Sequence, residues 1–369
     1  MNGSEQNAQK GDRVIAEERR ERILREIVMR GRIEVGDFAA RTGLSGMTIR
    51  RDLAVLADRG LIRRVHGGAV LPDTAEAPAT GVRGIGSSTR PLATIGLIVP
   101  DAGYYFPPLI RGASEAALAA GVRLVLGTTN YDPAEETRQL HRLSAGGADA
   151  TMLVTARPDV VDQELWRAIA AVETPVVLVE RAADGAPTSL RIDAVRSDHA
   201  FGAELAVDHL AERGHRSVGL LCRETATAPW IAKGHRRAVE RRGLASAPVM
   251  TTPSPRWGDD SRADVLREFL DACLAEGVRA AVVLPDELAI GLLSVVEERG
   301  LRVPEDFSIV AYDDEVASLA SVPLTAVDPP RTAVGRRALE TALMRLERRD
   351  DAPAHRIKLA PSLHVRESS

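Results

Sequence analysis

Cysteine is nearly absent from this chain, with only Cys222 and Cys273 in 369 residues. Both lie in apolar runs, which excludes a disulfide framework or a cysteine metal site and reads as two reduced core thiols. Aromatic residues make up only 3% of the chain, which argues against the stacking platforms that hold single-stranded nucleic acid. No apolar run approaches the ~18 residues of a membrane-spanning helix. The opening MNGSEQNAQKGDR has no apolar signal region. These absences predict a cytoplasmic protein with no membrane partner. Also missing are a G-x-S-x-G nucleophile elbow, a phosphate loop, the Rossmann glycine fingerprint and a metal-ligand pair of convincing spacing. Neither a cofactor nor catalysis is expected.

What is present is the composition of a soluble globular protein, 44% apolar and 27% charged, in a chain long enough for two or three compact units. Its charge is unevenly placed. Between Arg13 and Gly68 thirteen arginines and no lysine stand against eight acidic residues, an excess of five positive charges. The whole chain carries −4, so the remainder carries −9. A basic module on an acidic body is the asymmetry expected when one domain meets phosphate and the rest does not.

The basic module centres on Arg32–Leu71, RIEVGDFAARTGLSGMTIRRDLAVLADRGLIRRVHGGAVL. Ser45 can cap a helix beginning at Gly46, and Gly60 can end it. Ile49, Leu53 and Leu56 recur on one apolar face, so Met47, Arg50, Arg51 and Ala54 project the other way. A shorter helix, Val35–Arg41, precedes it across a Thr42-Gly43-Leu44 turn, and Val14–Arg30 supplies a first helix. Leu61–His66 then alternates like a strand, with Gly67-Gly68 able to turn and Ala69-Val70-Leu71 returning. Two helices, a tight turn and a basic hairpin make a winged helix-turn-helix. TIRRDL followed by RGLIRRVHGGA resembles the DeoR-type winged helix-turn-helix of bacterial transcription regulators, over roughly Arg19–Leu71. Arg50, Arg51, Arg63 and Arg64 are candidates for phosphate or base contact. Thr48 and Met47 can reach base edges or a thymine methyl. Ser45 belongs to the same surface, and His66 stands beside the turn, where packing on the hairpin is its alternative role.

The DNA-binding domain is placed at 13–71, followed by a linker at 72–92 rich in Pro, Gly, Ser and Thr, and then a body at 93–369. In the body, short apolar strands alternate with helices. Strands are expected at Thr94–Val99, Arg123–Gly127, Ala150–Thr155, Pro175–Val179, Ser217–Cys222, Ala280–Leu284 and Ser308–Tyr312, with helices between them, including Asp159–Val172 and Lys233–Arg242. This is an α/β, doubly wound pattern of parallel sheets whose ligand sites lie at the carboxyl ends of the strands. Six segments, from TIGLIVPDAGYYFPPLIRGASEAALAAG through TPVVLVER, SDHAFGAELAVDHLAERGHRSVGLL and DELAIGLLSVVEERGLRVPEDFSIVAYDD to PLTAVDPPRTAVGRRALE and LHVRES, resemble the sensor of LacI/GalR regulators. The resemblance implies a two-lobed, periplasmic-binding-protein-like fold. Lobe one would take about 93–193 and 328–350, and lobe two about 194–327 and 351–369.

A sugar in such a cleft needs carboxylates and cations for its hydroxyls and aromatic rings for its apolar faces. Strand ends offer Asp101, Tyr105, Phe106, Glu180, Asp286 and Asp313, and a loop after Cys222 offers Trp230 and Lys233. Asp198 stands in SDHAFG. The resemblance implies ligand contact for Asp313 and Glu180. Asp286 and Asp198 suit a structural role equally well, and Tyr105 and Phe106 have loop packing as the alternative. Three positions depart from the family pattern. Ile231 stands where an arginine is frequent, Pro285 where a polar residue is frequent, and Pro329 at a ligand-contacting place. The family's hinge helix before the sensor is also missing. The implied protein is a homodimer that binds double-stranded operator DNA as a repressor, released by a small effector, a sugar or derivative. The rivals are a sugar or sugar-phosphate enzyme fused to a DNA-binding module, and a transport-type solute receptor.

Overall fold

The structure is a computed structural model that describes residues 23, 32–42, 44–58, 62–65, 67–70, 92–157, 163–253, 261–347 and 352–369. The expected Val14–Arg30 helix (apart from Ile23), His66 and the 72–91 stretch lie outside the described residues. The chain divides into two compact units, 1–88 and 89–369.

In the first unit, β1 (Arg32–Glu34) leads into α1 (Val35–Thr42) and α2 (Gly46–Asp58), followed by the hairpin β2 (Arg63–Val65) and β3 (Gly68–Val70). Ser45 caps α2, its Oγ accepting the Thr48 N–H at 3.1 Å. Ile49, Leu53 and Leu56 are buried among Ile23, Ile33, Val35, Phe38, Ile62 and Ala69. Each such side chain contributes ~1.5–3 kcal/mol relative to exposure. β1 is a strand the sequence pattern did not announce. It pairs antiparallel with β3, giving the order β1-β3-β2. The hairpin register pairs Val65 with Gly68, so Gly68 belongs to the returning strand and not to the turn. A Cβ on Gly68 would stand 1.8 Å from the Ile33 carbonyl oxygen, so only glycine lets β1 approach.

The second unit holds two six-stranded sheets. The first has the order β14-β8-β7-β6-β4-β5 and uses β4 (Thr94–Val99), β5 (Arg123–Thr128), β6 (Ala150–Leu153), β7 (Val176–Val179), β8 (Asp193–Ser197) and β14 (Arg356–Leu359). Its pairings are all parallel. α3 (Pro107–Ala119) and α10 (Arg331–Glu347) cover one face, and α4 (Pro133–Ala145) and α5 (Gln163–Ala170) the other. α3 and α10 lie so close that a Cβ on Gly335 would stand 2.0 Å from the Leu109 carbonyl oxygen.

The second sheet has the order β10-β9-β11-β12-β13-β15, from β9 (Gly219–Arg223), β10 (Val249–Thr252), β11 (Ala280–Leu284), β12 (Ser308–Tyr312), β13 (Thr325–Asp328) and β15 (Ser362–His364). Only its β13–β15 pairing is antiparallel. α6 (His199–Glu212) and α7 (Ala228–Arg242) cover one face, α8 (Ser261–Ala275) and α9 (Asp286–Glu298) the other. β11 and β12 are buried at every residue, as continuous apolar runs in a doubly covered sheet should be.

The lobe boundaries differ from expectation. β8 completes the first lobe, and β14 pairs with β8 there, so residues 194–197 and 356–359 belong to lobe one, not lobe two. β8 was hard to see because Asp193 and Arg196 interrupt its apolar run. Asp193 is buried against Arg345, whose Nε and Nη2 reach its two oxygens at 2.8 Å. The chain passes between lobes after β8, after β13 and after β14. The Asp198 N–H donates to the Leu359 carbonyl at 2.8 Å, tying the first passage to the third.

Candidate functional site

On the winged unit, α2 presents Met47, 76% exposed, together with exposed Arg50 and Arg51. These positions share one helix face opposite the buried stripe. Thr48 is half-buried and its hydroxyl sits 2.8 Å from Ser45 Oγ, so Ser45 and Thr48 hold the helix start and each other. Arg63 and Arg64 are both exposed on β2, but successive strand residues point to opposite faces, so the two do not act as one patch. Val35 N–H donates to the Gly67 carbonyl at 2.9 Å and fixes the wing tip against α1. His66 lies outside the described residues.

In the sensor, the strand-end carboxylates separate into different roles. Glu180, at left-handed φ 54° after β7, is buried, and both its oxygens are occupied. Oε1 accepts from Tyr105 Oη at 3.0 Å and Ser197 Oγ at 2.8 Å, and Oε2 accepts from Ser197 N–H at 2.9 Å. His199 Nε2 stands 3.6 Å from Oε2, and its Nδ1 is 3.2 Å from Tyr312 Oη. Burial pushes the Glu180 pKa up, but the His199 and Ser197 interactions outweigh it and hold the group below the usual carboxylate range. Glu180 and Tyr105 therefore form an internal joint between lobe one and the start of lobe two.

Asp286 is fully buried, and its carboxylate accepts the backbone N–H groups of Asp314, Glu315, Val316 and Ala317 at 2.6–3.2 Å. It organises the turn after β12 instead of facing a ligand. Asp198 caps α6 through the Phe201 N–H at 3.4 Å. Phe106 is 5% exposed and packs into the lobe-one core, edge-on to Tyr105. Asp101 accepts from Gly103 N–H at 2.6 Å and Tyr131 Oη at 2.8 Å, which holds its loop. The Asp286 role and the Tyr131 contact of Asp101 come from partners about thirty residues away, whereas the Asp198 cap is local.

Asp313 is different. It is 5% exposed, sits at φ 107°, and its carboxyl has no hydrogen-bond partner among the described residues. Burial, then the neighbouring Asp286, pushes its pKa well up. Nearby Tyr104 has a buried hydroxyl with no partner, and its pKa is also raised, by burial first and by Asp313 next. Arg331 binds Glu315 and Asp328, lies 5.3 Å from the Tyr105 ring, and leaves its Nε buried without a partner. Trp230 and Lys233 lie in α7, not in a loop, because that helix begins at Ala228. The Arg196 guanidinium stacks 4.0 Å from the Trp230 ring centroid, joining β8 of one lobe to α7 of the other. The sequence offered Tyr104 only within the Tyr104-Tyr105-Phe106 strand end and did not point to Arg196 or Arg331. Arg331 follows Pro329-Pro330 at a helix start, a visible signal, whereas Arg196 gave none until β8 was in place.

A family model described as a DeoR-like helix-turn-helix domain matches residues 19–75, and one described as a periplasmic binding protein-like domain matches residues 207–369. The chain is 28% identical over 344 residues to the arabinose metabolism transcriptional repressor of Geobacillus stearothermophilus, covering 90% of each. It is also 28% identical over 315 residues to the HTH-type transcriptional repressor PurR of Haemophilus influenzae, covering 81% of this chain and 90% of the other. The chain is a transcription regulator with a DeoR-like DNA-binding domain and a periplasmic-binding-protein-like body similar to that of LacI-type repressors. The regulator's fold is shared by CelR in its complex with cellobiose, with a TM-score of 0.64 at 23% identity over 89% of this chain and 92% of that one.

These relatives are regulators, not enzymes. The two cysteines are buried, and burial pushes both thiols up to about 12, which keeps them from acting as nucleophiles. No helix among the described residues is long and apolar enough to cross a membrane, and no group of metal-binding side chains occurs among them.

Proposed function

We propose that this regulator is a cytoplasmic homodimeric repressor whose hold on double-stranded operator DNA is changed by a small sugar-like effector bound between the sensor lobes. The face of α2 that carries Met47, Arg50 and Arg51 above a basic hairpin is the observation that supports DNA reading most directly. Arginines on such a helix make phosphate contacts and bidentate base contacts. Asp313 and Tyr104 support the effector site. The Tyr104 hydroxyl is buried without a partner, and the Asp313 carboxyl makes no hydrogen bond among the described residues, so a polyhydroxylated ligand would satisfy both. The regulator whose structure this sensor resembles was solved with cellobiose, a molecule of that chemistry.

Pairing through lobe one is favoured by its edge strand and outer helix. β5 lies at the sheet edge with Leu126 exposed, and Leu118 on α3 is 83% exposed. Beside Leu126, Pro107, Ile110, Arg111, Ser114 and Glu115 line an open hollow of about 440 Å³. A ligand preferring one lobe arrangement would change the operator affinity of the pair by the ratio of its affinities for the two states. The test is fluorescence anisotropy with labelled duplexes from the regulator's own promoter region. Arg51→Ala should weaken binding by about 1–3 kcal/mol and leave effector affinity unchanged. Equal operator binding by the variant would remove Arg51 from the interface.

A further inference from the structure

At Ile231 the lobe-two helix α7 has no cation, and that side chain is fully buried. A cation comes instead from the other lobe. Arg196 lies in β8, one residue before Ser197, and faces away from the Glu180 joint that Ser197 serves. Its side chain is 5% exposed, and its Nη1 is buried without a hydrogen-bond partner. No carboxylate is paired with it among the described residues. Its one close partner among the described residues is the Trp230 ring, at 4.0 Å, and Lys233 Nζ lies 5.4 Å from the same ring. Stacking on an indole offsets part of the desolvation of a guanidinium, but not the loss of every hydrogen bond at one of its nitrogens. An ion pair would.

We infer that the effector is an acidic sugar derivative whose carboxylate or phosphate is held by Arg196 beside Trp230, with Lys233 adding positive charge at the same rim. This rests on the effector reading above and specifies its chemistry. A guanidinium presents paired donors that match a carboxylate or phosphate edge, whereas a neutral sugar offers no charge in return. Because Arg196 belongs to lobe one and Trp230 and Lys233 to lobe two, the anion draws on groups from both lobes and so favours the arrangement that brings them together.

The test uses the full-length chain and matched sets: glucose with gluconate, glucuronate and glucose 6-phosphate, and arabinose and ribose each with its aldonate and 5-phosphate. Binding is read by thermal shift and calorimetry. An acid or phosphate should bind 10- to 100-fold more tightly than its neutral parent, and which of the two responds identifies the anion. Arg196→Gln should remove that advantage, so that an acid or phosphate binds no more tightly than its neutral parent. Lys233 is exposed, so Lys233→Gln leaves the fold intact and should cost the anion a smaller, salt-sensitive factor of about 2–5. A parent sugar bound as tightly as its derivatives, or anion affinity untouched by both variants, would overturn the acidic class and leave the effector reading standing. No binding across the whole panel would overturn both.

Discussion

Asp313→Asn should change how sensor stability responds to pH. Asp313 is 5% exposed, without a hydrogen-bond partner, and its pKa is pushed well up by burial and by Asp286. An unfolded aspartate titrates near ~3.9. Above that pH the unfolded chain has released the Asp313 proton while the folded protein still holds it. Unfolding then releases a proton, so stability falls as pH rises until the raised folded pKa is passed. Within that window one such group costs about 1.4 kcal/mol per pH unit. For a domain near this size, 1 kcal/mol shifts Tm by about 2–4 °C. Asparagine removes the titration, tolerates the positive φ and keeps nearly the same shape. The Tm of Asp313→Asn minus that of the wild type should therefore widen as pH rises above ~3.9, by up to about 3–6 °C per unit while the folded group keeps its proton. Every other titrating group is common to both proteins and cancels to first order. Thermal melts at three pH values suffice. Parallel curves would mean that the Asp313 carboxyl ionises in the fold as it does in water, and that its isolation in the cleft is wrong. The same variant should lose effector binding.

Two further outcomes follow from the packing. Arg345→Met strips Asp193, 1% exposed, of its bidentate partner and should cost about 3–5 kcal/mol in a denaturant melt of the sensor. Adding Asp193→Asn should recover part of that loss, and equal or greater damage from the double variant would contradict the pairing. Ser45→Ala removes the cap on α2 and should cost about 1 kcal/mol. Amide exchange at Thr48 should then accelerate about fivefold, and an unchanged rate would mean that Ser45 Oγ does not hold that N–H.

Much of this was legible in the residues because the physics there is local. The Ile49, Leu53 and Leu56 stripe and the Ser45 cap lie within one helix and its flank, and both stand as read. β4, β11 and β12 coincide with their apolar runs because each is covered on both faces. What failed depended on distant partners. β8 is a strand because Asp193 meets Arg345, 152 residues on, and because Arg196 stacks on Trp230. The resemblance implied a ligand contact for Glu180. Ser197, Tyr105 and His199 instead make it a joint, and only the folded sheet brings those three to it. Asp286 was an even choice between cap and contact, and four backbone N–H groups from a turn some thirty residues later decide it. The α7 start had a local signal that was passed over, since Pro229 at the beginning of the helix marks it and places Trp230 and Lys233 on its first turns.

The central claim is that one chain couples an occupied cleft to a DNA-reading helix. The most direct measurement is the dissociation constant for a promoter duplex, taken on the full-length regulator with and without a ligand shown by thermal shift to saturate the sensor. A change of about 5- to 150-fold is predicted, the usual range of a coupling free energy, and Asp313→Asn should abolish it. The same operator affinity with the cleft empty and full would contradict the account.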